Sequence, residues 1–163
     1  MSPRSQTFVK SSLTTYIWRI PLNGGECLQA DIVDIGSQPK DLSLAINDHQ
    51  LALISIETRV VLLKGTQVLS NVDLGFTVSA CAIAVDGNEA IVGGQDGKLH
   101  IYSVNGDTLT QEAVLENIEV KVKNTVYHTA RINNLAWSPD NHMVAAGSLD
   151  TCVIVYEVEN PAS

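Results

Sequence analysis

Aromatic residues are scarce in this chain, at 5% of 163 positions, and charged residues reach only 17%. Low charge beside 45% hydrophobic residues excludes an intrinsically disordered chain, which is polar and highly charged. Cations are the rarer sign, with 10 Lys and Arg against 18 Asp and Glu and a formal charge of −8. A surface that neutralises nucleic-acid phosphates or anionic lipid needs clustered Lys and Arg, so neither a nucleic acid nor a membrane is expected as a partner. Long apolar runs are missing as well. Stretches such as Leu51-Ala52-Leu53-Ile54-Ser55-Ile56 fall far short of the roughly 20 residues that span a bilayer. The segment Met1–Thr7 has no apolar h-region, so no secretory leader is predicted and the expected location is cytoplasmic. Cysteine is limited to Cys27, Cys81 and Cys152, which are widely separated and odd in number. A disulfide framework needs a dense, even set and a zinc site needs close pairs, so these read as reduced thiols serving as small hydrophobes.

What the sequence does have is a short, regular period. Helical templates fail, and apolar residues fall in brief β-branched runs between turn residues, as in an all-β chain. Ala90-Ile91-Val92 precedes Gly93-Gly94, and Leu99 to Val104 precedes Asn105-Gly106-Asp107. Met143-Val144-Ala145-Ala146 precedes Gly147-Ser148, and Val153-Ile154-Val155-Tyr156 follows the next turn. Gln95-Asp96-Gly97 and Leu149-Asp150-Thr151 read as tight hairpin turns, because Asp and Gly tolerate the positive φ such turns require. The hairpins repeat. Ala90 to Gly97 aligns with Val144 to Thr151, and the preceding turns Asp86-Gly87-Asn88 and Asp140-Asn141-His142 fall into the same register. Leu44 to Ser55 gives a third, weaker copy, and a partial one ends at Tyr16-Ile17-Trp18-Arg19. Each unit is three strands joined by turns and then a more polar outer strand.

The last unit carries the most specific pattern. His128-Thr129-Ala130-Arg131-Ile132 leads through Leu135-Ala136-Trp137-Ser138-Pro139-Asp140 to Gly147-Ser148-Leu149-Asp150 and on to Tyr156-Glu157. This resembles a WD repeat with Tyr-Glu in place of the terminal Trp-Asp. The resemblance implies a buried structural network of His128, Ser148, Asp150 and Tyr156, where a phenol can still donate a hydrogen bond. In the preceding unit Asp96 and Tyr102 match, Gly94 stands at the Ser position and no His is evident. Asp96 and Asp140 are expected in structural turns. A catalytic reading of the His, Ser and Asp would make Ser148 a nucleophile, which requires a strained elbow and an oxyanion hole; Gly147-Ser148-Leu149-Asp150 lacks that frame. His49, His100 and His142 have no ligand spacing, and Gly93 to Gly97 opens a strand and not the helix of a phosphate loop. No catalytic residue, cofactor or metal is expected.

Gln38-Pro39-Lys40-Asp41-Leu42-Ser43-Leu44-Ala45, Gln95 to Ser103 and Tyr127 through Val158 are similar to the second half of the actin-interacting protein 1 family, in its plant branch. The resemblance covers most of residues 16–163. It implies a seven-bladed WD propeller, one of two in the family, and actin filaments and a cofilin-type protein as partners in filament disassembly at the cytoskeleton. It assigns no actin-contacting residue. A general WD interaction scaffold is the alternative.

The expected fold is therefore an all-β WD-repeat propeller fragment of three to four four-stranded blades in an open ring. After an N-terminal segment and the start of a partial blade (1–15) come a partial blade at 16–36 and blades at 37–75, 76–116 and 117–158. The third-strand markers Trp18, Lys64, Tyr102 and Tyr156 lie 46, 38 and 54 residues apart, against about 40–45 for a WD repeat. The last interval holds two outer strands in tandem, Leu109–Glu116 and Ile118–Asn124. This predicts that the core of one blade is lost at about Glu116–Ile118. Lys121 and Lys123 read as solvated strand positions, since alternating Lys on an edge blocks unwanted pairing. The chain ends after a third strand, at Val158, so a final outer strand is expected to be absent and exposed sheet edges to favour self-association. A small complete adaptor that pairs its edges in an oligomer is the competing architecture.

Overall fold

The structure is a computed structural model that describes residues 5–9, 14–19, 28–47, 51–115 and 127–158. Cys27, His49, the junction at Glu116–Ile118, the second tandem outer strand and Lys121 and Lys123 lie outside the described residues.

Among the described residues every regular element is a strand, and the strands form four antiparallel meanders. The first sheet is β1 (Ser5–Val9), β2 (Thr14–Arg19) and β3 (Leu28–Asp34). The second is β4 (Asp41–Leu44), β5 (Leu51–Ile56), β6 (Arg59–Lys64) and β7 (Gln67–Asp73). The third is β8 (Val78–Ile83), β9 (Glu89–Gly94), β10 (Leu99–Asn105) and β11 (Thr108–Leu115). The fourth is β12 (Ile132–Trp137), β13 (Met143–Ser148) and β14 (Val153–Glu157). Spatial order follows chain order in each. The expectation of an all-β propeller fragment without a closed ring is met. Among the described residues the second and third sheets have four strands and the first and fourth three, and β1 lies in the 1–15 stretch expected to hold an N-terminal segment and the start of a partial blade. Its five residues, Ser-Gln-Thr-Phe-Val, are too few and too polar to show a period.

The strands differ in character because of where they sit. Leu51–Ile56 is apolar at five of six positions and buried throughout, since one face of β5 meets the third sheet and the other packs with Val33 and Ile35 at the end of the first. β7 and β11 lie at the outer margin and carry mostly exposed, polar residues. The sheets stack through their early strands: β8 packs on β4 and β5, and β12 on β8 and β9. Leu53, Leu62, Val78, Cys81 and Val92 fill the seam between the second and third sheets, while Ile91, Leu99, Ile132, Val144 and Tyr156 fill the next. At roughly 1.5–3 kcal/mol for each large side chain removed from water, these seams are the main source of stability.

The inner edge of β8, buried between its neighbours, shows how the sheets are joined beyond apolar contact. An edge strand leaves backbone groups without a ladder partner. Here the neighbours on both sides supply them. Cys81 N donates to Asp41 Oδ2 at 3.0 Å and Ile83 N to Ser43 Oγ at 3.0 Å, both from β4. From the other side, Val85 N donates to Asn141 Oδ1 at 2.9 Å, and Trp137 Nε1 donates to the Ala82 carbonyl at 3.3 Å. Burial of Asp41 raises its carboxyl pKa, and the bonds from Cys81 N and Leu42 N pull it back down. Burial also pushes the Cys81 thiol far up, with the Asp41 charge adding to the effect, so this sulfur is an inert part of the seam.

Candidate functional site

The cluster predicted from the last repeat is assembled from two segments. The stretch Tyr127–Arg131 leads into β12, and Ser148–Cys152 makes the tight turn between β13 and β14. The connection is a three-residue hairpin loop, Leu149 and Asp150 followed by a residue with positive φ; Thr151 takes that φ at 71°, where the corresponding residue of the third sheet is Gly97 at 83°. A β-branched residue is strained in that region, and the polar bonds around it hold the turn in place. Cys152 N donates to Asp150 Oδ1 at 2.9 Å and Asp150 N to Ser148 Oγ at 3.2 Å.

Asp150 then reaches across to the entering chain. Its Oδ2 accepts from Thr129 N at 2.9 Å and lies 2.9 Å from His128 Nδ1. The imidazole is fully buried, with Nε2 3.0 Å from the Ala146 carbonyl on β13. Ser148 Oγ donates to the Ala130 carbonyl at 2.9 Å. Its hydrogen is thus committed to a backbone oxygen and not to His128, which is the opposite of a base-activated nucleophile.

The structure brings His128, Ser148 and Asp150 into one cluster. It places Tyr156 beside them, in the apolar seam, where its hydroxyl makes no hydrogen bond to the cluster among the described residues. Tyr156 contributes packing.

The third sheet carries a reduced version. Asp96 Oδ1 accepts from Lys98 N at 3.1 Å, as Asp150 does from Cys152. A Cβ at Gly94 would lie 2.5 Å from Asp96 Oδ1, the end of an exposed side chain. Asp140 sits in the β12–β13 turn, accepting from His142 N at 3.1 Å and from Ser138 Oγ, while Met143 N donates to Ser138 Oγ at 2.9 Å. The Ser138 and His142 bonds hold the Asp140 carboxyl below its usual range. His100 is buried and stacked on Phe76, at a ring-centroid distance of 4.0 Å. Among the described residues no group of His, Cys, Asp and Glu could hold a metal, and no helix is long and apolar enough to cross a membrane.

Sequence reasoning did not find the bridging roles of Asp41, Ser43, Asn141 and the Trp137 indole. A faint signal existed. Asp41 stands at the strand position that Ala80 holds one repeat later, and a carboxylate among apolar residues there needs a partner.

Two of the shifted groups act at opposite ends of the pH range. The Asp150 carboxyl is pulled from 3.8 down to about 2, chiefly by the Thr129 N–H bond and then by the Cys152 N–H and His128. Its contribution is complete above pH 3.8 and fades as pH falls towards about 2. Burial, reinforced by the charges of Tyr127 and Asp150, raises the Tyr156 phenol from 10.0 to about 12. The unfolded phenol ionises first, so the stability present below pH 10.0 is lost as pH rises to about 12. Melting temperature against pH should therefore fall at both ends. Tyr156→Phe should flatten the alkaline limb and leave the acid limb in place; an unchanged alkaline limb would assign it to other groups.

Residues 120–157 match the WD domain, G-beta repeat family. The chain is 46% identical to actin-interacting protein 1-2 of Arabidopsis thaliana over 191 residues, covering 97% of the chain and 31% of that relative. It is 29% identical to actin-interacting protein 1 of Drosophila melanogaster, over 80% of the chain and 27% of the relative. It is also 29% identical to the 66 kDa stress protein of Physarum polycephalum, over 78% of the chain and 27% of the relative. The chain thus spans about a third or less of the length of these relatives. A chain in the crystal structure of a mitotic checkpoint complex superposes with a TM-score of 0.75 at 14% identity, over 96% of this chain and 46% of the other. That likeness concerns the fold. The alignments have one more property: 97% of 163 residues is about 158, so the Arabidopsis alignment runs about 33 positions longer than the stretch of this chain it covers. The Drosophila alignment, of 164 residues over 80% of the chain, shows an excess of about 34.

Proposed function

Because the chain is a WD-repeat protein homologous to actin-interacting protein 1-2 of Arabidopsis thaliana over about 31% of that relative's length, we propose that it binds actin filaments and supports their disassembly with a cofilin-type protein. The observation that carries this reading is the 46% identity sustained over 97% of the chain. The chain then acts as a binding scaffold at the cytoskeleton in the cytoplasm, without catalytic chemistry. His128, Ser148 and Asp150 serve as a structural latch, Tyr156 as its apolar neighbour, and Asp96 and Asp140 as turn residues. The alternative, a general WD scaffold in another complex, draws support from the small share of the relatives that the chain spans.

Cosedimentation separates the two. The chain should pellet with filaments and, with cofilin added, should raise the actin left in the supernatant. Failure to pellet together with unchanged cofilin-dependent release would remove the actin reading and leave the scaffold.

We also propose the division into a partial blade at 16–36 and blades at 37–75, 76–116 and 117–158, with one blade core lost at about Glu116–Ile118. The alignment excess of about 33 positions supports this, being close to the length of three strands and their turns in one repeat. The direct packing of β12 on β8 is compatible with it, since repeat units contact only their neighbours through similar faces. Reads of the native transcript that encode this junction with no longer form would make the short repeat the normal one.

A further inference from the structure

Three dipeptides among the described residues place glycine directly after Asp or Asn: Asp86-Gly87, Asp96-Gly97 and Asn105-Gly106. The pairing matters chemically. With no Cβ on the glycine, its amide nitrogen can approach the preceding side-chain carbonyl carbon and close a five-membered imide. All three sit in hairpin turns, and the glycines take φ of 81°, 83° and 64°. Hydrogen bonding separates them. Gly87 N donates to the Ala84 carbonyl at 3.0 Å, and Asp86 Oδ1 accepts from Asn88 N at 3.0 Å. Gly97 N donates to the Gly94 carbonyl at 3.3 Å, and Asp96 Oδ1 accepts from Lys98 N at 3.1 Å. In both turns the nitrogen that would attack and the group it would attack are committed elsewhere.

Asn105-Gly106 carries neither restraint. Asn105 closes the β10–β11 ladder opposite Thr108, which leaves Gly106 and Asp107 as a two-residue loop. Positive φ at Gly106 and not at Asp107 is the type II′ pattern, whose first loop amide stands outside the ladder. Among the described residues no hydrogen bond engages the Gly106 amide or the Asn105 side chain, and Asn105, Gly106 and Asp107 are all exposed. Nothing lies within 4 Å of where a Cβ on Gly106 would stand, so the loop has room to change shape. Other asparagines are held: Asn141 Oδ1 accepts from Val85 N and Asn133 Oδ1 from Arg131 Nε, and neither precedes a glycine.

We propose that Asn105 is a modification site, deamidated by its own backbone. The Gly106 nitrogen attacks Cγ of Asn105. The N–Cγ bond forms, the Cγ–Nδ2 bond breaks, and the Gly106 amide proton leaves with Nδ2 as ammonia. Water then opens the imide at one carbonyl or the other, giving either Asp or an isoaspartyl residue whose side-chain methylene has joined the main chain. The attack requires Asn105 to leave its extended conformation, which the last pair of a ladder does by fraying. Fraying stops one pair further in. Val104 is buried, its N donates to the Asn88 carbonyl at 2.7 Å, and its ladder partner Leu109 packs on the same core cluster. The product therefore adds a negative charge beside Asp107, and in its isoaspartyl form lengthens the turn, while the core strands keep their register.

The whole folded chain, held at neutral pH and physiological temperature for increasing times and then digested with trypsin, tests this. The 99–121 peptide should gain the mass of an amide becoming a carboxylic acid, localised to position 105 by fragmentation. It should also accept a labelled methyl group from an isoaspartyl-specific carboxyl methyltransferase. The 65–98 peptide, which holds Asp86 and Asp96, should take label at least about tenfold more slowly, because each bond that must open first slows the attack roughly fivefold. In urea, where those bonds are gone, its labelling should rise. Asn23-Gly24 falls in the separate 20–40 peptide and is read apart. Asn105→Gln, which would need a six-membered ring, should abolish both signals in 99–121 and keep the parent's melting temperature. An unmodified 99–121 peptide, signals that persist there in Asn105→Gln, or equal labelling of 65–98 in the folded chain would overturn the proposal.

Discussion

Valine at Gly93 is expected to cost about 3 kcal/mol and to loosen the fourth sheet from the third. The reason is local. A Cβ at position 93 would lie 2.7 Å from both Cβ and Cγ2 of Ile132 and 3.1 Å from its Cγ1. Ile132 is fully buried, and its β-branched side chain has little rotamer freedom with which to move aside. The strain is relieved by withdrawing β12, which exposes Ile91, Leu99 and Ala146 along the same seam. Urea denaturation should show the loss in midpoint, and trypsin should cut sooner at the exposed Arg131. Gly147→Val is the internal control, because that position has open space within 4 Å. It should stay within about 0.5 kcal/mol of the parent, as surface substitutions do. Equal losses from the two valines would show that backbone freedom, and not the seam, requires glycine at 93.

Alanine at His128 should cost about 2–4 kcal/mol, the second large effect. The buried ring bridges Asp150 and the Ala146 carbonyl, and its removal leaves a cavity and a buried carbonyl without its partner. Ser148→Ala removes the bond to the Ala130 carbonyl and the acceptor for Asp150 N, both at the turn, and should cost only about 1 kcal/mol. Chemical denaturation of the two variants checks the ranking. A His128→Ala chain within 0.5 kcal/mol of the parent would mean that β13 and β14 hold their turn without the latch.

Much of this architecture was legible in the residues themselves. The Ala90–Gly97 and Val144–Thr151 copies carry strand period, turn chemistry and a small residue before each turn in one short span, so their hairpins stand out. The grouping of His128, Ser148 and Asp150 was legible only through the resemblance to a WD repeat, which implies a network at those positions. Asp41, Ser43 and Asn141 were harder still. Their partners are backbone amides 40 to 56 residues away, and a backbone amide leaves no mark in a sequence. The strand β1 was not delimited within the expected start of a partial blade, because five residues with two apolar positions carry no period.

The side chains that reach β8 from both neighbours also make its backbone a clock. The amide hydrogens of Cys81 and Ile83 are held by β4, and that of Val85 by the β12–β13 turn, not by the ladder with β9. Their exchange with deuterium therefore times the parting of one sheet from the next, at an energy below that of full unfolding. Two of them report on one joint and the third on the other, so a single spectrum would show in which order the stack comes apart.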